Sequence, residues 1–140
     1  KKLQLEDSRI KIFDKGNGGV ASARNIGIAH ATGQYIIHAD SDDIVLPNAY
    51  LNLINEANRS NAAIVVGGYY SGFENNYVEN IPGIEIKDPV VFSKKILQDE
   101  IHAGLWNKLV ENKLYKNFKF IDGLDYKEDL IFFCNSTYGN

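Results

Sequence analysis

Three aspartates, Asp40, Asp42 and Asp43, follow the apolar stretch 35–39. Carboxylates this close together repel one another, and proton uptake or a bound cation relieves the repulsion. Ligands of open α/β sheets bind just beyond the carboxyl ends of the strands, which is where this cluster would stand. Its oxygen donors suit a hard divalent cation, so the cluster indicates Mg2+ or Mn2+ shared with a phosphate-bearing substrate. A structural alternative is that the cluster caps a helix near Pro47, which explains Asp43 better than the other two aspartates.

A second acidic pair, Glu128 and Asp129, stands near the start of a predicted C-terminal helix over 126–138. A carboxylate held in a site can act as the general base that takes a proton from an attacking hydroxyl. Acidic side chains in a first helical turn also interact favourably with the helix dipole, by about 0.3–1 kcal/mol each. On the residues alone, that dipole role is sufficient to explain the pair.

The composition is that of an ordinary globular domain, with 140 residues, 44% hydrophobic and 24% charged, and a net charge of -3. There is no dense Lys/Arg patch, so no nucleic-acid partner is expected. The single cysteine, Cys134, excludes an internal disulfide framework and a cysteine-based metal site, and its apolar neighbours predict a buried, inert thiol. No apolar run approaches the roughly 18 residues of a membrane helix, and a reducing, cytoplasmic setting is expected.

Hydrophobic periodicity and capping signals predict alternating strands and helices. The predicted strands cover 10–13, 35–39 and 62–69, and the predicted helices cover 20–31, 48–58, 89–98 and 126–138. Between them, 75–85 suggests a hairpin or an irregular excursion, and 103–110 is an apolar stretch around Trp106. This order favours an α/β fold with a largely parallel sheet.

Four groups of residues resemble, in this order, motifs of the family 2 glycosyltransferases, bacterial members in particular: 17–27 with 31–36, then 40–43, 105–109 and 126–133. The resemblance implies the GT-A fold, a Rossmann-like α/β domain that binds a nucleotide sugar and a divalent metal. Members of the family begin with an apolar strand and a later strand whose acidic loop holds the nucleoside base, and both would lie upstream of Lys1. The chain is therefore expected to form a single glycosyltransferase-like domain over 1–140, incomplete at its N-terminus.

The resemblance also implies roles for the two acidic groups. Asp42 is the direct metal ligand, Asp40 contacts the ribose or a metal-bound water and so shares cofactor and metal binding, and Asp43 orients the sugar or its loop. Asp129 is the catalytic general base, with Glu128 as the fallback. One base on the sugar face opposite the leaving group implies direct displacement with inversion at the anomeric carbon.

A glycine pair and an arginine are further candidates for contacts with the donor. Gly18 and Gly19 allow close approach of the backbone to a ligand or a positive φ, although a plain turn would explain them equally well. The guanidinium of Arg24 can donate two parallel hydrogen bonds to a carboxylate or a phosphate, so it could brace the acidic cluster or touch the diphosphate. The alternative is a solvated arginine on the helix surface. Asn25 is expected to link strand ends.

Three residues of the later motifs are candidates for contacts with substrate or metal. Trp106 offers a flat apolar face for a sugar ring, with core packing as the alternative. Lys108 could pair with phosphate or with the helix that bears Asp129, and a surface lysine is the alternative. His102 could be a ligand for the metal or the diphosphate. The other histidines, His38 and His30, are predicted to be a satisfied core histidine and a helix-face residue.

The resemblance implies a metal-dependent, inverting transfer of a sugar from a nucleoside diphosphate sugar, which is expected to be a UDP-sugar. The implied acceptor is a saccharide or a lipid-linked molecule, and the implied role is surface polysaccharide synthesis. Two alternatives remain open, a sugar-phosphate nucleotidyltransferase and a non-catalytic binding or interaction domain on the same scaffold. The first usually carries a glycine-rich, basic phosphate loop near its start, which this chain lacks. A lipid-linked acceptor would be compatible with peripheral association at the inner face of the membrane, and an unpaired sheet edge would favour a homo-oligomer.

Overall fold

The computed structural model describes residues 2–73, 76–82, 88–124 and 126–138. Five helices and five strands are assigned in these residues. The helices are α1 (Lys2–Glu6), α2 (Gly19–His30), α3 (Ala49–Ser60), α4 (Pro89–Leu97) and α5 (Glu128–Tyr138), with a 3-10 turn at Asn112–Tyr115. The strands are β1 (Tyr35–Ile36), β2 (Ile64–Val66), β3 (Tyr69–Phe73), β4 (Asn76–Asn80) and β5 (Lys108–Glu111).

The main sheet has the order β1-β5-β2, and its central strand comes late in the sequence. β5 is antiparallel to both neighbours, with Val110 opposite Ile36 on one side and Ile64 on the other. The expectation of a largely parallel sheet is therefore wrong for the described part. β1 and β2 do run parallel to each other, but β5 separates them, so every pairing in this sheet is antiparallel.

Two predicted strands are shorter or absent. Residues 10–13 form no strand; Ile10, Ile12 and Phe13 are partly exposed, and the Phe13 ring lies 4.1 Å from that of His30. The predicted strand 35–39 is reduced to β1, because only its first two residues pair with β5.

The predicted strand 62–69 divides into β2 and the start of a hairpin. The break falls at Gly67 and Gly68, and the Gly67 amide donates to the carbonyl oxygen of Asn107 at 2.7 Å. The hairpin pairs β3 with β4, Tyr69 lying opposite Asn80, which confirms the hairpin interpretation for the early part of 75–85. Residues 83–87 lie outside the described residues.

The helices follow the sequence signals closely, since caps and periodicity are local. The Asp88 side chain accepts a hydrogen bond from the Val90 amide at 2.8 Å and so caps α4. α5 begins two residues later than predicted, because Lys127 has a left-handed φ of 59° that no helix accommodates.

Helices α4 and α5 and strand β5 enclose the larger core cluster. Its aromatic members Phe120, Phe132 and Phe133 are at most 1% exposed, and Phe118 packs against them, as the sequence predicted. Tyr126 is an exception, since it is exposed and therefore lies outside the core. The predicted buried thiol, Cys134, is half-buried.

Candidate active site

An arginine joins α2 to the acidic start of α5. Nη1 of Arg24 donates to Oε1 of Glu128 and to Oδ1 of Asp129, and the three side chains are only 10–14% exposed. The sequence suggested that Arg24 braces the first acidic cluster or touches the diphosphate. In the fold its guanidinium contacts the second acidic pair, more than 100 residues away in the chain.

Asp129 lies between a cation and a backbone donor. Its second oxygen, Oδ2, accepts a hydrogen bond from the Leu105 amide at 3.3 Å. Burial raises the pKa of Asp129 to about 6, although the charge of Arg24 lowers it. The charges of Glu128 and Asp40 also raise this pKa, and the hydrogen bond from the Leu105 amide lowers it. A carboxylate with such a pKa is mostly ionised at neutral pH and is still basic enough to accept a proton.

The two acidic groups occupy one region of the fold, because the charge of Asp40 reaches Asp129. Asp40 is half-buried at a turn in which the Asp43 amide donates to the Asp40 carbonyl oxygen at 3.3 Å, while Asp42 and Asp43 are exposed. Asp40 also lines a groove of about 430 Å³ between α2 and 36–40 that Arg24 and His38 border.

The fit of this turn to a divalent cation depends on its donor chemistry. Among the residues that the structure describes, no group of three or more His, Cys, Asp or Glu side chains is arranged to hold a metal ion. Asp40 lines the groove, and Asp42 is exposed two positions further along the chain. Hard cations accept substrate phosphate oxygens and waters as their remaining ligands. Carboxylate oxygens are donors that Mg2+ and Mn2+ accept, so the turn is compatible with either cation in donor type.

The third predicted metal ligand, His102, lies in an aromatic group. Its ring centroid is 5.9 Å from that of Tyr69 and 5.6 Å from that of Trp106, and its Nδ1 accepts a hydrogen bond from the Gly104 amide at 3.0 Å. Burial, assisted by the charge of Lys108, lowers the pKa of His102, so the ring is neutral at pH 7.

Trp106 is half-buried, with its ring edge-on to Tyr69 at 4.8 Å, so it combines packing with an accessible face. A Cβ atom at Gly104 would lie 2.6 Å from the indole Nε1 and 2.8 Å from the His102 ring, so this group requires glycine there. Tyr69 was missed in the sequence because it stands in a separate hairpin, and only the fold brings it here.

The alternative of a surface lysine at 108 is wrong, because the side chain is fully buried. Its Nζ donates to the carbonyl oxygens of His102 and Gly104 and to Oδ1 of Asn107, which leaves no proton for the predicted contact with phosphate. Burial lowers the pKa of Lys108 to about 7, against the opposite effect of Asp129.

The remaining histidines have the structural positions that were predicted. Nε2 of His38 hydrogen-bonds the Tyr115 hydroxyl at 3.2 Å, and burial, with the charge of Arg24, lowers the pKa of His38 to about 4. The ring of His30 lies on the face of α2, where its Nδ1 is 2.9 Å from the carbonyl oxygen of Ile26.

Of the two glycines at the start of α2, Gly19 has a backbone conformation that favours glycine, whereas Gly18 is close to neighbouring side chains. Gly19 has φ 74°, and its amide donates to Oδ1 of Asn17 at 3.2 Å. A Cβ at Gly18 would come within 3.0 Å of the Ser22 side chain. Asn25 links elements as expected, although not strand ends: its amide bonds both the carbonyl oxygen and the amide of Phe120, at 2.8 and 2.9 Å.

Within the described ranges, none of the helices combines the length and the apolar character that crossing a membrane requires.

The family model and the similar proteins found by comparison all indicate glycosyltransferases. The sequence model of glycosyl transferase family 2 matches residues 1–125. The glycosyltransferase GlyG of Streptococcus pneumoniae serotype 4 is 28% identical over 141 aligned residues, which cover 91% of this chain and 46% of GlyG. The uncharacterized glycosyltransferase EpsJ of Bacillus subtilis is 30% identical, over 90% of this chain and 39% of EpsJ. A cholesterol galactosyltransferase of Borreliella burgdorferi is 38% identical over 66 residues, 47% of this chain and 18% of that protein.

The chain thus spans less than half the length of these curated relatives. The matched region contains the turn at Asp40, helix α2 with Arg24, and the stretch from Leu105 to Lys108. Helices and strands alternate in a mixed α/β domain, as the GT-A fold of this family requires. Since the family model covers most of the chain, this protein belongs to glycosyl transferase family 2.

Proposed function

We propose that the chain forms part of the catalytic domain of an inverting glycosyltransferase, which moves a sugar from a nucleoside diphosphate sugar to a saccharide or lipid-linked acceptor. Asp129 carries this proposal. It is a largely buried carboxylate whose pKa is raised to about 6, held by Arg24 and the Leu105 amide within electrostatic reach of Asp40. Such a group is suited to take a proton from a hydroxyl at neutral pH.

In the proposed reaction, Asp129 takes the proton of the acceptor hydroxyl. As the acceptor oxygen attacks the anomeric carbon, its O–H bond breaks and the proton passes to the Asp129 carboxylate. The new C–O bond forms while the bond between the anomeric carbon and the diphosphate oxygen breaks, and the electron pair leaves with the diphosphate. A base on the face opposite the leaving group gives inversion.

Arg24 adjusts the strength of this base. Its guanidinium lowers the pKa of Asp129, whereas burial and the neighbouring carboxylates raise it. Without a cation in contact, a larger fraction of Asp129 would be protonated at neutral pH, and that fraction could accept no proton. Arg24 therefore keeps the base available, and Glu128 shares the same guanidinium.

The donor is proposed to lie at the groove beside α2. Asp40 and Asp42 would hold Mg2+ or Mn2+, which when bound offsets the charge that gathers on the leaving diphosphate. Asp43 and Gly18 to Gly19 stand close in the chain to these elements and are proposed to order the sugar and the phosphate side. We take a UDP-sugar as the first donor to test.

The acceptor is proposed to contact the aromatic group of Tyr69, His102 and Trp106. Aromatic faces bind the apolar faces of sugar rings, and the Leu105 amide that touches Asp129 is next to Trp106 in the chain. One relative is named for transfer of galactose to cholesterol, which agrees with a lipid or lipid-linked acceptor. A role in surface polysaccharide synthesis, at the cytoplasmic face of the membrane, is part of this proposal.

The test is release of UDP from UDP-glucose, UDP-galactose and UDP-N-acetylglucosamine by the full-length natural protein, with Mn2+ and with EDTA. Asp129→Asn should lower turnover by about 10²–10⁴-fold, the usual contribution of a general base, and should leave UDP binding unchanged. The control Asp122→Asn makes the same chemical change at an exposed position and should keep turnover. If Asp129→Asn retained normal turnover, Asp129 would not be the base. If the folded protein bound neither UDP nor GDP with Mn2+, a non-catalytic scaffold would be the better reading.

A further inference from the structure

A fully buried lysine lies behind the candidate base. Lys108 is 0% exposed, and its Nζ lies 2.5 Å from the His102 carbonyl oxygen, 2.6 Å from that of Gly104 and 2.8 Å from Oδ1 of Asn107. An ammonium group has three protons, so each has an acceptor. All three acceptors belong to the turn 102–107, which therefore wraps around a single cation.

This turn carries two parts of the candidate site. The Leu105 amide donates to Oδ2 of Asp129, and Trp106 follows directly with its half-buried ring. The amide-to-carboxylate distance of 3.3 Å is at the long end for a hydrogen bond, so a small displacement of the turn would remove it.

The same lysine also contacts the helix that bears the base. Its Nζ lies 5.5 Å from the centre of the Phe133 ring, within the range of a cation–π interaction. Asp129 and Phe133 are four residues apart on α5, and residues at that spacing share one helix face. Lys108 thus connects the turn and the face of α5 that bears Asp129.

Stability alone does not explain a lysine here. Burying an ion is costly, and apolar side chains of similar volume often serve a core as well or better. An apolar side chain would, however, leave three converging acceptors without a donor, and the turn would have to open to hydrate them. The turn geometry requires N–H donors at this position, and the turn holds the Leu105 amide.

We propose that Lys108 is a positioning residue, whose ammonium group fixes the turn 102–107 so that the Leu105 amide holds one oxygen of Asp129 in place. The inference rests on the proposed role of Asp129 as the base. Lys108 touches neither donor nor acceptor, so its effect on the reaction passes through Asp129.

The first test compares Lys108→Met, Lys108→Gln and the exposed control Lys113→Met in the UDP-release assay. In Lys108→Met, kcat should fall by about 10–100-fold, the effect of a misplacement of about 1 Å in a site, while KM for the donor stays within about threefold. Gln supplies two amide protons to the turn, so its kcat should be intermediate. Urea unfolding of each variant ensures that rates are compared only for folded protein. Normal kcat in folded Lys108→Met or Lys108→Gln would overturn the proposal.

The second test needs no activity and uses nuclear magnetic resonance of the 140-residue chain. The Leu105 amide donates to Asp129 and lowers its pKa, and the charge of Lys108 also acts on Asp129, so loss of either moves the carboxyl titration of Asp129 to higher pH. The response specific to the turn is therefore that of the Leu105 amide itself. In the unaltered chain, the Leu105 amide shift should follow the same titration. In Lys108→Gln and Lys108→Met the coupling should weaken, whereas Lys113→Met should preserve it.

The two tests separate the two proposals. Loss of the coupling in a protein that transfers no sugar would support the positioning role and contradict the proposed function. A Leu105 amide shift that still follows the Asp129 titration to the same extent in both folded Lys108 variants would overturn the positioning role, whatever the protein's activity.

Discussion

Arg24→Met is the substitution that tests the electrostatics of the site most directly. Methionine keeps an unbranched side chain of similar length but removes the guanidinium that contacts Glu128 and Asp129. Arg24 lowers the pKa of Asp129, whereas burial, Glu128 and Asp40 raise it. Once Arg24 is removed, the Leu105 amide is the remaining influence that lowers this pKa. The pKa of Asp129 must therefore rise above about 6.

The size of the effect follows from the titration of one group. An opposite charge in contact lowers a carboxyl pKa by roughly 1–3, so its removal raises the pKa of Asp129 to about 7 at the least. Ionisation of the base at pH 6 would then fall from about 50% to about 10%, and kcat/KM would fall by about fivefold from this cause alone. The acid limb of the pH profile should shift by about 1 or more to higher pH.

The stability of the fold should also depend on pH, and the contribution of Asp129 to stability should fall as pH rises. The folded-state pKa of Asp129 is above its unfolded value, so this group favours the fold at low pH and loses that contribution as pH rises from about 4 through about 6. Without Arg24 the loss extends to higher pH. Removing one partner of a buried ion pair costs roughly 3–5 kcal/mol. The cost should be largest above the raised pKa of Asp129, where this buried carboxylate is ionised and has lost its cationic partner.

The assay is kcat/KM for UDP release between pH 5 and 9, with urea unfolding at the two ends of that range. Arg9→Met is the matched control, because Arg9 also pairs with an aspartate, Asp7, but on the surface. A pH profile of Arg24→Met that overlays the natural one would refute the electrostatic account of Asp129. Equal destabilisation of Arg24→Met at pH 5 and pH 9 would refute the account of stability.

Two further predictions concern the ends of the candidate donor site. Gly19→Ala should destabilise the fold by about 1–2 kcal/mol, the cost of a left-handed backbone for an L-residue, since Gly19 has φ 74°. Gly27→Ala should instead stabilise the fold by about 0.5–1 kcal/mol, because Gly27 lies in the interior of α2 with open space around its Cβ position. Urea unfolding that ranked the two variants in the opposite order would contradict the backbone argument. Asp42→Ala should weaken Mn2+-dependent binding of UDP by about tenfold or more in calorimetric titration. The control Asp99→Ala should leave this binding unchanged. Unchanged binding in Asp42→Ala would remove Asp42 from the proposed cation ligands.

Helices could be predicted well from the sequence because their signals are local. Asp88 before Pro89 indicates a capped start, and the structure has the cap. The acidic turn after β1 was also recognisable, since its residues are consecutive. By contrast, β5 was not identified as a strand, because its place between β1 and β2 depends on pairings with residues far apart in the chain.

The same distinction applies to the candidate site. The sequence pointed to Arg24 and Asp129, but not to their contact across more than 100 residues. The burial of Lys108 was unforeseen because lysine is rarely enclosed, and only the closed turn 102–107 supplies the acceptors that enclose it. Backbone donors such as the Leu105 amide carry no sequence signal at all.

The paired contact of Asn25 with Phe120 has a consequence for how such enzymes diversify. The side-chain amide bonds both backbone groups of a residue 95 positions later, as a neighbouring strand would. It fixes α2, and with it Arg24, relative to the segment that leads into α5. Strands β3 and β4 lie in the chain between these two anchor points but outside their contacts. We therefore expect that substitutions in β3 and β4 leave the contact of Arg24 with Asp129 unchanged.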